Sequence, residues 1–171
     1  MELKHPVVKG HPLHAMLSDL PVALIPTALL AAVAERARPN AETRFAARSM
    51  TTLAFVSAAA AGLVGWWDWL TIPRDHAARG PATNHGLLNT AGLVATGVAA
   101  VAPRLGWRRL EILVGVNAVL IVSAWIGGDL VYRLGWRVRP AEELEQLDAG
   151  KTRAEARAAI DEHERKDAFL P

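Results

Sequence analysis

The sequence predicts an all-α integral membrane protein: a four-helix bundle of two helical hairpins, repeated in parallel orientation, with a short charged helical tail. Three observations predict it. Half of the residues are hydrophobic, yet few are aromatic, and alanine, leucine and valine dominate. Four long uncharged runs interrupt the charges, at Leu20–Ala34, Ser49–Trp67, Gly80–Pro103 and Ile112–Gly128. Charge then changes character along the chain. Through Trp136 there are twelve Lys and Arg against eight Asp and Glu; from Arg137 onward there are seven against nine.

A membrane helix needs about 20 mostly apolar residues. The second and third runs meet this directly. The first and fourth meet it when Asp19 and Asp129 are counted into their helices. Small residues punctuate the runs, as in "SAAAAGLVG" and "TAGLVATGVAA", and such residues let membrane helices approach closely. The expected spans lie near 13–34, 47–70, 84–102 and 110–134, forming one domain over 13–136 after a lead over 1–12. Pro21 and Pro26 are expected to bend the first span. A signal peptide is the alternative for that span. Two prolines and an aspartate spoil its apolar region, and three more spans follow.

The tail over 137–171 reads as two short polar helices. "RPAEELEQLDAG" has Pro140 at a helix start and Gly150 as a stop, and Thr152 with Glu155 makes a capping-box pattern. With little to bury, these helices suit the membrane surface or association with a partner. His163 among them reads as a surface residue.

Composition excludes several chemistries. There is no cysteine, hence no disulfide and no thiolate metal site. The arginines fall in short clusters between apolar runs without a basic face, so no nucleic acid is expected as a partner. There is no HExxH and no glycine-rich phosphate loop, and no motif argues for an enzyme acting on its own.

Four spans bring the polar residues to one mouth of the bundle. His11, His14 and Asp19 start the first helix, and Asp68 ends the second in "GWWDWL". His85 and Asn89 start the third in "NHGLLNT", and Asp129 ends the fourth in "IGGDLVY". The far mouth carries Arg36, Arg38, Arg44, Arg48, Arg104, Arg108 and Arg109 with Glu35, Glu42 and Glu111, which read as interfacial charges. A histidine at a helix start and a glycine-then-aspartate at a helix end recur in both halves. An axis along the membrane normal would bring His14 toward His85 and Asp68 toward Asp129. On the third helix His85, Asn89, Gly92 and Thr96 form one stripe. Asp19 lies about 140° around the first helix from His14, so His11 and Asp19 are assigned to the interface.

Ionisable groups in spans are costly, which makes such a cluster a candidate site. Asp68 and Asp129 sit at negative dipole ends, an unfavourable placement that calls for a compensating cation. The competing reading has each aspartate snorkelling or pairing with Arg74 or Arg133. His14, Asp68, His85 and Asp129 suit a divalent Fe, Zn or Mn ion in a helix bundle. His14 and His85, with Asn89 beside them, equally suit the axial positions of haem b. A proton relay or quinone contact is a third use. The tryptophans read as aromatic belts.

Together, "GHPLHAMLSDLP", "GWWDWL", "NHGLLNT" and "GGDLVYRLGW" resemble a bacterial membrane-protein family catalogued as domain of unknown function 2231, over Gly10 to Trp136. Ala15 stands where the family pattern leads one to expect proline. The resemblance implies a multi-pass protein of the bacterial plasma membrane. Members joined to Rieske-type domains imply a redox or iron–sulfur partner protein, since this chain has no cysteine of its own. The expected function is a redox-associated, metal- or haem-binding membrane subunit, with the lipid bilayer and another copy of the chain among its partners. The alternatives are a non-catalytic scaffold whose tail recruits partners and, more remotely, a small transporter, for which four spans require oligomerisation.

Overall fold

A computed structural model describes residues 4, 6–9 and 11–136, together with Glu155 and Ala158, both exposed and helical. The expected tail helices over 137–171, His163 within them, and His5 otherwise lie outside the described residues. A two-residue antiparallel ribbon, β1 (Val7–Val8) with β2 (His11–Pro12), leads into the bundle. Four helices follow: α1 (Leu13–Ala37), α2 (Ala41–Leu70), α3 (Arg79–Val101) and α4 (Arg109–Gly128). A 3-10 turn over Ala102–Leu105 extends α3, and a π-helical turn over Asp129–Arg133 extends α4. All four are long and apolar enough to cross a membrane.

The helix ends explain why two spans start earlier than the apolar runs do. α2 begins at Ala41 because Asn40 and Thr43 form a reciprocal cap. The Thr43 N–H donates to Asn40 Oδ1 at 2.8 Å, and the Asn40 N–H donates to Thr43 Oγ1 at 3.1 Å. Its first two turns carry exposed Glu42, Arg44 and Arg48, so α2 continues beyond its apolar run. α3 begins at Arg79, whose guanidinium lies 3.6 Å from the Trp69 ring centroid and donates to the carbonyls of Trp69 and Ile72. It thereby satisfies the open carbonyl end of α2. α1 runs without interruption through Pro21 and Pro26.

Each helix packs on two neighbours, α1 on α2, α2 on α3, α3 on α4 and α4 back on α1, which puts α1 and α3 on a diagonal. The core is made of small side chains. Ala28, Ala32, Ala54 and Ala99 are buried with Ile25, Leu113 and Val116. Large apolar side chains such as Leu30, Leu63, Val94 and Ile121 point outward instead. A water-soluble bundle would reverse this arrangement; in lipid, helices associate through close packing of small residues. The hydroxyls inside the spans are satisfied locally. Thr51 and Thr96 donate to the carbonyls of Ala47 and Gly92, one turn back, at 2.7 Å each.

The two hairpins repeat. Shifting α1 onto α3 so that His14 meets His85 also sets Pro21 on Gly92, Ile25 on Thr96 and Ala28 on Ala99, and all six of these are buried. Shifting α2 onto α4 so that Gly65 meets Gly127 sets Ala47 on Arg109, Thr51 on Leu113, Ala54 on Val116 and Ala61 on Ser123, again all buried. This register differs from a match of the two aspartates. Asp68 falls on Leu130, and Trp67 falls on Asp129.

Candidate functional site: paired histidines at one mouth

His14 sits one residue inside α1 and reaches across to α2. Its Nδ1 lies 3.1 Å from the carbonyl oxygen of Ala61. The ring rests on Gly65, where an added Cβ would fall 2.7 Å from the imidazole Cε1. His85 does the same from α3 to α4. Its Nδ1 lies 2.9 Å from the Ser123 carbonyl and 3.0 Å from Ser123 Oγ. A Cβ on Gly127 would fall 3.0 Å from its Cε1. In each hairpin the histidine thus binds a carbonyl one turn before the glycine that receives its ring. Because α1 and α3 are diagonal, the two rings meet near the bundle axis, with centroids 6.4 Å apart and planes at 79°.

The carbonyl contacts fix the tautomer. A carbonyl oxygen only accepts, so in each neutral ring Nδ1 carries the hydrogen and Nε2 carries the lone pair. Asn89, one turn along α3, agrees with this at His85, where its Nδ2 donates to Nε2 at 3.0 Å. Ser18 holds the matching place on α1 but donates to the His14 carbonyl instead.

The surroundings are aromatic and well fastened. The Trp66 indole lies against Gly86, and its Nε1–H donates to Thr90 Oγ1 at 3.0 Å. Trp69 packs edge-on against Trp66 and donates to Thr83 Oγ1 at 2.9 Å. These two contacts tie α2 to α3 beside the histidines. Trp107 and Trp125 are exposed, as an aromatic belt requires. Trp66 and Trp69 thus fasten α2 to α3, whereas Trp107 and Trp125 face outward.

The structure brings together His14, His85 and Asn89. It does not gather the aspartates with them. Asp129 pairs with Arg133 one turn along, at 2.9 Å, in the π-helical segment. Asp68 accepts from the Thr71 hydroxyl, through its carbonyl oxygen at 2.7 Å and its Oδ1 at 3.4 Å. Among the described residues, no group of three or more His, Asp or Glu stands close enough to hold a metal ion. His11 is exposed on β2, and His76, in the loop after α2, packs against Trp136.

Sequence reasoning missed the receiving side of the histidines: Ala61, Gly65, Ser123 and Gly127. The signal was present, since each histidine-bearing helix is followed by one with a small residue four places before a glycine. It also missed the far mouth. Arg109, taken for an interfacial charge, is only 5% exposed; it donates to Glu35 at 2.6 Å and to the Ala99 carbonyl at 3.2 Å. One arginine on α4 thereby ties the C-terminal ends of α1 and α3, where a cation is favoured.

A family model described as Predicted membrane protein (DUF2231) matches residues 10–140. The chain belongs to the DUF2231 family. No curated protein and no solved structure matches it. The matched span includes the four helices and both histidines, so the paired-histidine mouth of this DUF2231 protein lies within the family domain.

Proposed function

We propose that the His14–His85 pair is a two-imidazole ligand site for one metal centre, either haem b iron or a divalent Fe, Zn or Mn ion. In this reading the DUF2231 protein is a redox-associated membrane subunit that holds its centre for a partner protein and does not turn over substrate alone. One observation carries the reading: two rings on diagonal helices, each anchored through Nδ1 to a main-chain carbonyl. Histidines that bind metals characteristically donate their other N–H in this way, which orients the ring and raises its basicity. The two ring centroids are 6.4 Å apart, close enough that both imidazoles could serve one centre. Asn89 would have to release Nε2 of His85 when the centre binds.

A second reading is favoured by the same contacts. Each histidine already joins two helices, so the pair can serve a scaffold as interhelical fastening alone. Absorbance spectra and elemental analysis of detergent-purified protein separate the two readings. Ligand binding predicts a Soret band or stoichiometric metal, lost in His14→Ala and His85→Ala. Its absence from the wild-type protein, with both substitutions lowering thermal stability, leaves the fastening role.

A further inference from the structure

We propose that the far mouth holds a binding site for the phosphate of an anionic phospholipid, lined by Arg36 and Arg108. This does not rest on the histidine reading. A cavity of about 250 Å³ opens there between the end of α1, the 3-10 turn after α3 and the start of α4. Arg36, Arg108 and Arg109 line it with Glu35, Glu111 and Trp107.

The charges divide unequally. Arg109 and Glu35 are committed to each other at 2.6 Å. Arg108 meets Glu111 only at 3.4 Å, with the two side chains 72% and 54% exposed. An exposed pair of this kind contributes little and exchanges partners readily. Arg36 is exposed in the last turn of α1 and makes no ion pair among the described residues. One arginine at the end of α1 and one just before α4 are therefore available to one anion, and guanidinium groups bind phosphate oxygens in pairs. The cavity also meets the first turn of α4 at Leu110 and Glu111, and Arg108 supplies no side-chain cap to that turn. Its open N–H groups and dipole add to the preference for negative charge.

The position selects a lipid over a free ion. Trp107 on the wall and Leu105 beside it are more than half exposed, next to outward apolar residues of α3 such as Val101. The cavity thus opens where the apolar girdle of the bundle meets water, at headgroup depth. Basic pockets between membrane helices at this depth suit acidic headgroups.

The test uses the full chain in nanodiscs of phosphatidylcholine, with or without phosphatidylglycerol, and native mass spectrometry of the lipid released with the protein. The expected result is enrichment of phosphatidylglycerol over phosphatidylcholine. Arg36→Gln and Arg108→Gln should each lower that enrichment, by about fivefold per arginine. Both side chains are exposed, so an unchanged helical circular dichroism spectrum is expected alongside. Arg44→Gln, an exposed arginine at the same mouth outside the cavity, should leave the enrichment intact. The proposal is overturned if phosphatidylglycerol is not enriched, or if Arg44→Gln lowers enrichment equally, which would indicate diffuse surface attraction. It is also overturned if inorganic phosphate saturates a site in phosphatidylcholine discs that Arg36→Gln abolishes, since the ligand is then a free anion.

Discussion

Single residues set the near mouth, and glycines decide it as much as histidines do. A methyl group at Gly65 would sit 2.7 Å from the His14 ring, and one at Gly127 would sit 3.0 Å from the His85 ring. Gly65→Ala and Gly127→Ala should each destabilise the protein by about 1–3 kcal/mol, the usual cost of overpacking. Gly62→Ala is the control, with nothing within 4 Å of its added Cβ. It should be neutral or stabilising, by up to about 1 kcal/mol, because alanine suits a helix better than glycine. Thermal unfolding in detergent ranks the three, and equal losses at all of them would refute the ring-on-glycine account. At the far mouth, Arg109→Met leaves Glu35 partly buried without its cation. A loss of about 3–5 kcal/mol is expected, and adding Glu35→Gln should restore part of it. If the double substitution is additive, the pair is not coupled.

Helices show where hydropathy and physical ends part company. All four were legible as uncharged runs, because a span in lipid cannot carry many unpaired charges. Their starts were not legible from the runs alone. α2 starts at an asparagine–threonine cap that differs from the usual Ser/Thr-to-Glu/Gln pattern, and its first turns are charged. α3 starts at an arginine that works on the preceding helix. Arg79→Ala removes a stacking contact worth about 0.5–2 kcal/mol and uncovers two carbonyls. Hydrogen exchange should then rise across residues 71–78 while staying unchanged in the middle of α3. Uniform protection throughout would mean that Arg79 is not what secures this turn. α4 ends in a π-helical turn directly after Gly127 and Gly128, beside the His85 ring. Such turns often mark functional sites, and nothing in the composition of "DLVYR" announces one.

As a whole molecule, the chain is two similar hairpins closed about an axis. The histidines made this symmetry visible in the sequence, since matching His14 to His85 aligns the buried faces of α1 and α3. The aspartates obscured it. Asp68 and Asp129 look alike as helix-end acids, yet they occupy different positions in the repeat and different pairings. The burial of Arg109 was invisible for a related reason, because its counterpart in the first half is Ala47 and the symmetry breaks there. Membrane helices associate through close local packing, and within each hairpin a histidine ties one helix to the next. A chain divided in the exposed loop after Pro73 should therefore insert as two pieces that copurify from detergent. Separate elution of the pieces would contradict a bundle assembled from two self-sufficient halves.

The seat of each imidazole also acts as a depth gauge. His14 and His85 bind main-chain oxygens, and those oxygens recur along a helix only at fixed steps of about 1.5 Å per residue. The glycine below each ring then admits a single step. α1 cannot slide along α2, nor α3 along α4, without driving a ring into a Cβ. Each hairpin is thereby held in its own register, and the two rings lie with their centroids 6.4 Å apart. The depth of each ring is thus set against its own hairpin by backbone geometry.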